Sequence, residues 1–348
     1  MPRGFNDTRD LVATTDGIPF IRMYDDIQAA LSDYNSNEGF LRSNLTFVTT
    51  DEKIKEGLSQ NQMQFQRATE YGRPDRQRIT QTERERNIPV EDFSLGVGFT
   101  RKYLQLARSD QIALQVDEAT RADQELIIRS ILQQLLRIEN LGTGGVYKTF
   151  WNADGDTPPR YVDTIFVGTH THFLTSATAT LALIQSMRLK LVEHGYDLSR
   201  ELWINPTEEA AVRALTGFVP VQTRDQQLIT NSNPFNATNV QIALVDPAQF
   251  IGVIEGFRVR VYNWQPSGYL FGYDAGSAVG LRKPLAWREY PVASLRGLQL
   301  FNENPDSSFP LANSFFGRNF GLACLERSNG VAAQITAGSY ATPAVLTI

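Results

Sequence analysis

His170 and His172 stand two apart in VGTHTHF, a segment that reads as strand, so their imidazoles share one face. Two imidazoles on a face are the start of a zinc-type site. The chain has three histidines, little material for an all-histidine centre, and no carboxylate or cysteine next to this pair completes a set. Two polar strand residues at the edge of a turn are the simpler reading. Asn152, Asp154 and Asp156 have the one-three-five spacing of a calcium loop. Thr157 stands where such a loop needs glycine, and Asp163 replaces the closing glutamate. With Pro158-Pro159 following, a solvated turn is the expectation.

Other catalytic signatures are missing. There is no G-x-x-x-x-G-K-[ST] phosphate loop. Gly142, Gly144 and Gly145 follow a helical stretch instead of opening one, the wrong context for a dinucleotide fingerprint. Ser277 follows Gly276, but Ala275 breaks the G-x-S-x-G pattern. No H-E-x-x-H occurs. Cys324 is the one cysteine, sits in apolar FGLACLE and reads as core filler, which excludes a disulfide framework. Asn44 and Asn236 match the glycosylation sequon but carry no weight without a secretion signal. No cofactor, metal or catalytic residue is expected.

The 348 residues are enough for about two domains. With 42% hydrophobic and 20% charged residues, a large core is possible and wholesale disorder is excluded. A net charge of −5 argues against a dedicated nucleic-acid binder. No run of about 18 apolar residues is present, and MPRGFNDTRD lacks the apolar core of a secretory signal, so neither a membrane span nor secretion is expected. The basic residues are 27 Arg against six Lys. Genome composition would explain that skew, as would extensive polar contact between subunits, for which the guanidinium fork is well suited.

The elements along the chain are uneven. Residues 1–60 offer one short helix, about Asp25 to Ser32, and no core of their own; they read as an arm lying on something else. Residues 61–98 turn at Gly72-Arg73-Pro74-Asp75, and Pro74 and Pro89 exclude a continuous helix. Six Arg and six acids lie between residues 67 and 92, with few large apolar side chains. A charged hairpin of that length must project from the body, and long loops without a core are usually functional or disordered. Residues 101–140 contain neither Gly nor Pro and predict a helix of about 40 residues, roughly 60 Å long, capped by Thr100, with a break near Ser109-Asp110 allowed. A hairpin over residues 146–170, a helix over about 176–194, a strand at ELWINP and a helix at TEEAAVRAL capped by Thr207 follow. Residues 221–240 read as a polar loop. FRVRVYNW, GYLFGYD and a long late segment read as strands, with Asn329-Gly330 turning the last long strand onto its partner.

This order of parts resembles the major capsid proteins of tailed bacteriophages, the HK97-like fold, an α+β architecture. The helix-then-strand segment ALIQSMRLKLVEHGYDLSRELWINPTEEAAVRAL, followed by IEGFRVRVYNW and GYLFGYD, is similar to axial-domain sequences of that family. The resemblance implies an N-terminal arm at 1–60, an extended loop (E-loop) at 61–98 and a peripheral domain at 99–170 and 297–348 with a spine helix at 101–140. Residues 171–296 would be the axial domain. It implies self-assembly as hexamers and pentamers into an icosahedral shell, formed in the host cytoplasm and enclosing double-stranded DNA held without sequence-specific binding. Portal, a separate scaffolding protein and possible decoration proteins would be the partners. Some members cross-link an E-loop lysine to an asparagine, but residues 61–98 contain no lysine and Lys53 and Lys55 lie just outside. Non-covalent locking is therefore expected, through Arg67, Arg73, Asp75, Arg76, Arg78, Glu83, Arg84, Glu85 and Arg86 across subunits. The nearest alternative is an encapsulin-like compartment shell. The alternative from another class is a metal-dependent hydrolase using His170 and His172.

Overall fold

The structure, a computed structural model, describes residues 13–37, 39–59, 81–97, 99–142, 146–221, 248–302 and 311–346. The chain divides into two compact units, each assembled from separate stretches of sequence.

The first unit comprises Met1–Gly39, Pro89–Ile128 and Arg288–Gly321. Helix α1 (Phe20–Ser36) buries Phe20, Met23, Ile27 and Leu31, a three-four-four spacing that lines one helical face. The face packs with Leu104, Ile112, Val116, Leu298, Leu300 and Phe316 in one core. Part of the expected arm is thus a core element, because four large apolar side chains on one stripe must be covered. The helix also runs beyond the Asp25–Ser32 expectation at both ends.

The expected 40-residue helix is divided. Helix α3 (Arg101–Leu106) ends at Ala107, whose backbone is extended, and α4 (Ser109–Leu136) starts anew. Asp16 holds the break. Its carboxylate accepts from the Ser109 backbone N–H at 3.2 Å and from the Ser109 hydroxyl, and Thr15 N–H donates to Ala107 O at 3.1 Å. Hydrogen bonds from the Ser109 and Thr14 side chains, Ser109 the larger, pull the Asp16 carboxyl down to about 2. Thr100 caps α3, accepting from Tyr103 N–H at 3.1 Å. Strand β13 (Ser314–Cys324) pairs antiparallel with β12 (Leu298–Asn302) on one side and β4 (Glu91–Gly96) on the other.

The second unit comprises Phe40–Ile88, Arg129–Trp287 and Leu322–Ile348. Its centre is a seven-stranded mixed sheet in the order β5 (Phe173–Ser176), β14 (Val331–Ile335), β10 (Tyr269–Asp274), β6 (Arg200–Ile204), β9 (Phe257–Tyr262), β8 (Ala248–Ile254) and β7 (Val219–Pro220). Strands β6 and β10 are buried at every position, as an interior strand requires. Helices α5 (Leu181–Val192) and α6 (Pro206–Arg213) close the core, with Leu183, Ile184, Met187, Leu191 and Val212 against Leu202, Val259, Leu270 and Val331. The α6 cap is Asn205, not Thr207: the Asn205 side chain accepts from Thr207 N–H at 2.9 Å, with Pro206 at the first helical position. Helix α2 (Phe40–Leu45) leads into β1 (Thr46–Thr49), which pairs with β11 (Leu285–Arg288). Strands β2 (Lys53–Ser59) and β3 (Gln81–Asn87) form a separate antiparallel ribbon.

Two expected pairings fail. The late strands do not form one block: β13 pairs with β12 and β4, whereas β14 runs between β5 and β10, so Asn329-Gly330 links two sheets and is not a hairpin turn. Residues 146–170 form no hairpin, only isolated bridges such as Asn152–Thr171 and Tyr161–Thr164. The loop expected at 221–240 falls, apart from Val221, outside the described residues. Among the described residues no helix is long and apolar enough to cross a membrane.

Candidate functional site

The first candidate is the charged ribbon. Its seven facing pairs put Lys55 in register with Glu85 and Glu56 with Arg84. Lys53 Nζ reaches Glu85 Oε2 at 3.1 Å, with both side chains about half exposed. Such a pair contributes about 0–1 kcal/mol. The base is better anchored. Ile88 is buried with Ala286, Ala323 and Leu325, and Ile54 packs against the same cluster. The ribbon therefore begins at Lys53, and Lys53 and Lys55 lie on it instead of outside it. Sequence patterning missed strand β2 because only Ile54 and Leu58 in KIKEGLS are apolar.

Of the expected contact residues, Glu83, Arg84, Glu85 and Arg86 lie on β3, while Arg67, Arg73, Asp75, Arg76 and Arg78 lie outside the described residues. The far end of the expected E-loop, Glu91–Gly96, is strand β4 of the first unit, in register with Phe315–Phe320.

The calcium-like triad is an internal ion-pair network. Asp154 Oδ2 lies 2.8 Å from Lys148 Nζ and 3.0 Å from Arg327 Nη2, and Asp156 Oδ2 lies 3.2 Å from Arg327 Nη1. Arg327 is 1% exposed and lies over the Trp151 ring, 4.0 Å from its centroid. Burial pushes the Asp154 carboxyl up, but Lys148, Arg327 and Asn140 outweigh it and hold the group well below the usual carboxylate range. Two cations of the same chain occupy the place a metal would take. Ser277 is likewise structural: with the backbone N–H groups of Leu198, Ser199 and Gly276, its hydroxyl and N–H donate to the buried Asp274 carboxylate.

The second candidate is a cluster containing all three histidines. His170 and His172, just before β5, meet Glu193 and His194 at the end of α5, and their four ligand-type atoms lie within 4.8 Å of one another. His170 Nε2 is 3.0 Å from His172 Nε2, 3.1 Å from His194 Nε2 and 3.3 Å from Glu193 Oε1. His172 is fully buried and its Nδ1 contacts Gly330 O at 2.7 Å. Phe166 stacks on His194, with centroids 4.3 Å apart.

Local structure sets this geometry. His172 N–H donates to Trp151 O at 2.7 Å and Ala153 N–H to His170 O at 2.9 Å, which fixes the two-histidine segment against residues 151–153. Helix α5 is terminated by Gly195 at φ +85°, whose N–H donates to Val192 O at 2.9 Å, with Tyr196 N–H on Leu191 O at 3.1 Å. Burial pulls His170 down to about 4 and His194 to about 3, assisted by Lys190 in both; burial likewise pulls His172 far down. All three imidazoles are neutral near pH 7. Burial raises the Glu193 carboxyl against the opposing pull of Lys190, whose Nζ lies 3.1 Å from Oε1. The sequence pair was correctly paired in space, but its partners were missed because they lie on a different element. The Glu-His-Gly signal at the end of a predicted helix was available.

No protein-family model and no curated protein matches the sequence. Among solved structures, one from Mycobacterium phage Patience superposes with a TM-score of 0.70 at 22% identity, covering 100% of this chain and 97% of that one. The asymmetric unit of the bacteriophage PhiM1 mature capsid gives 0.49 at 12% identity over 87% and 88% of the two chains. The holo-SrpI encapsulin complex from Synechococcus elongatus PCC 7942 gives 0.47 at 11% identity over 98% and 100%. The chain has the α+β, HK97-like fold, as its element order implies.

Proposed function

We propose that this chain is the major capsid protein of a tailed bacteriophage, a non-catalytic subunit that assembles as pentamers and hexamers into an icosahedral shell. The observation that carries the reading is the full-length likeness to the phage Patience structure. The ribbon adds support: its base is fixed in a core by Ile54 and Ile88, while Lys53 and Glu85 of its ladder stay half exposed. A segment of that kind gains burial by lying on a neighbour. In this reading the ribbon from Lys53 is the base of the E-loop, the chain before it is the arm with α1 seated in the first core, and residues 171–296 make most of the axial domain, whose sheet also takes in β14. E-loop arginines and acids pair across subunits, each pair weak but repeated around the shell. The net charge of −5 suits a lining that lets packaged DNA move. Portal and scaffolding proteins are the expected partners, and the virion is the final location.

The test is to express the full chain alone and examine it by size-exclusion chromatography and negative-stain microscopy. Closed polyhedral shells or rings of five and six subunits are expected. A monodisperse monomer or dimer at high concentration would overturn the reading. Shells that co-purify with one enzyme, from a locus lacking terminase and portal genes, would replace phage capsid with encapsulin.

A further inference from the structure

We propose that His170, His172, His194 and Glu193 form a structural site for a zinc-type divalent metal ion, tying the segment before β5 to the end of α5. The proposal is independent of the capsid reading, since it concerns the second unit alone.

The first argument is hydrogen bookkeeping. The His172 Nδ1 contact with a carbonyl, Gly330 O, requires the proton on Nδ1, so its Nε2 presents a lone pair to the cluster. His170 Nε2 then faces two imidazole nitrogens, at 3.0 and 3.1 Å. If His170 carries its proton on Nε2, that single hydrogen serves only one contact well. If it carries it on Nδ1, its lone pair meets the His172 lone pair head on. In no neutral tautomer are both contacts good hydrogen bonds, in an interior where an unmade polar contact is costly. One cation between the three nitrogens satisfies every lone pair at once.

The second argument is spacing. Ligands at about 2.05 Å from a tetrahedral zinc lie about 3.3 Å from one another. The three distances from His170 Nε2, at 3.0, 3.1 and 3.3 Å, already match that edge. The four ligand atoms all fall within 4.8 Å of one another. Three imidazoles with one carboxylate form a donor set typical of zinc. The carbonyl behind His172 is the outer partner that orients a metal-bound imidazole. Phe166 supplies an apolar wall.

The third consideration is charge. Neutral imidazoles and one carboxylate around a divalent ion leave a net charge of about +1, and Lys190 adds another cation nearby. The Glu193 oxygen that faces His170, Oε1, also lies 3.1 Å from Lys190 Nζ, so the one carboxylate offsets both cations. Four protein ligands close the coordination sphere, the arrangement of structural rather than catalytic zinc. This distinguishes the site from the hydrolase alternative, which needs an open position.

The experiment uses the untagged full-length chain, purified without chelator and measured by elemental mass spectrometry, then stripped and titrated with Co2+ alone. The expected result is close to one zinc per chain and, with cobalt, the intense visible bands of a tetrahedral ion, displaced by added zinc. His194→Ala should weaken cobalt binding by more than the roughly 10–100-fold that even outer-partner changes cause. Should that variant not fold, Glu193→Gln at the partly exposed helix end provides the same test: the tetrahedral bands weaken while circular dichroism stays unchanged. The proposal is overturned if the folded wild-type chain retains zinc well below one equivalent and gives cobalt only the pale spectrum of the hydrated ion. It is equally overturned if both variants bind cobalt as the wild type does.

Discussion

Arg318 donates to the Asp123 carboxylate inside the first unit, and the two side chains are only 6% and 2% exposed. Tyr34 from α1 donates to the same carboxylate oxygen at 2.8 Å. One acid thus joins α1, α4 and β13. Burial pushes the Asp123 carboxyl up, with Arg318 and Tyr34 opposing. Removing Arg318 alone strands a buried carboxylate, so Arg318→Met should cost about 3–5 kcal/mol in urea unfolding. The double variant Asp123→Leu/Arg318→Met should recover a large part of that loss. Additive losses in the double-mutant cycle would show that the pair is uncoupled.

Acid should unfold the second unit in a defined window. The Asp154 and Asp274 carboxyls are both held below the ordinary carboxylate value, against the raising effect of burial: Asp154 by Lys148, Arg327 and Asn140, and Asp274 by donors from Leu198, Ser199 and Ser277. The unfolded chain then binds more protons than the folded one, so the share these two carboxylates contribute is fully present above the unfolded value of about 3.9 and is lost as pH falls below it, on top of a loss that starts near 6.5 from the buried neutral histidines. Asp154→Asn should flatten the slope of unfolding free energy against pH between about 4 and 2. An unchanged slope would remove Asp154 from the account.

Charge changes on the ribbon should separate folding from assembly. Arg84→Glu with Glu85→Lys reverses two of the charges on β3. Thermal stability of the unassembled chain should change by under about 1 kcal/mol, the scale of a half-exposed pair such as Lys53–Glu85. Assembly, followed by sedimentation, should fall sharply. Normal particles from this variant would take the ribbon out of the locking role.

Gly195 cannot carry a side chain. It holds φ +85°, and a Cβ there would come 2.5 Å from the Tyr161 ring. Gly195→Ala should cost about 1–3 kcal/mol from the left-handed backbone alone. The ring contact adds to that. A lowered melting temperature measures this loss, and cobalt titration of the same variant reports whether His194 has shifted.

The sequence carried much of the order of elements and little of their pairing. The helix α4, the strand ELWI and the alternation in FRVRVY were legible because a run free of Gly and Pro and a period of two are local properties. The break between the two helices was legible near Ser109-Asp110, but its anchor Asp16 was not, because it lies far away in the chain. The destination of β14 was missed for the same reason: VAAQI fits a buried strand in any sheet, and only β5 and β10 decide which. The histidine pair was read on its own strand, but its third imidazole comes from the end of a helix. Likewise Arg327, unremarked in sequence, turns Asp154 and Asp156 from candidate ligands into a salt-bridged core.

The placement of β14 has a consequence for biosynthesis. Strand β5 ends at Ser176 and β10 at Asp274, yet β14, which lies between them, begins at Val331. While the ribosome makes the intervening chain, β5 lacks its sheet neighbour and β10 keeps only β6. The first unit waits in the same way, because Leu298, Leu300 and Phe316 belong to the core that α1 starts. Both cores close late and from distant segments, the first once Phe316 has emerged and the second once Ile335 has. Partly made subunits would therefore expose unpaired strands, so synthesis must finish before a competent building block exists.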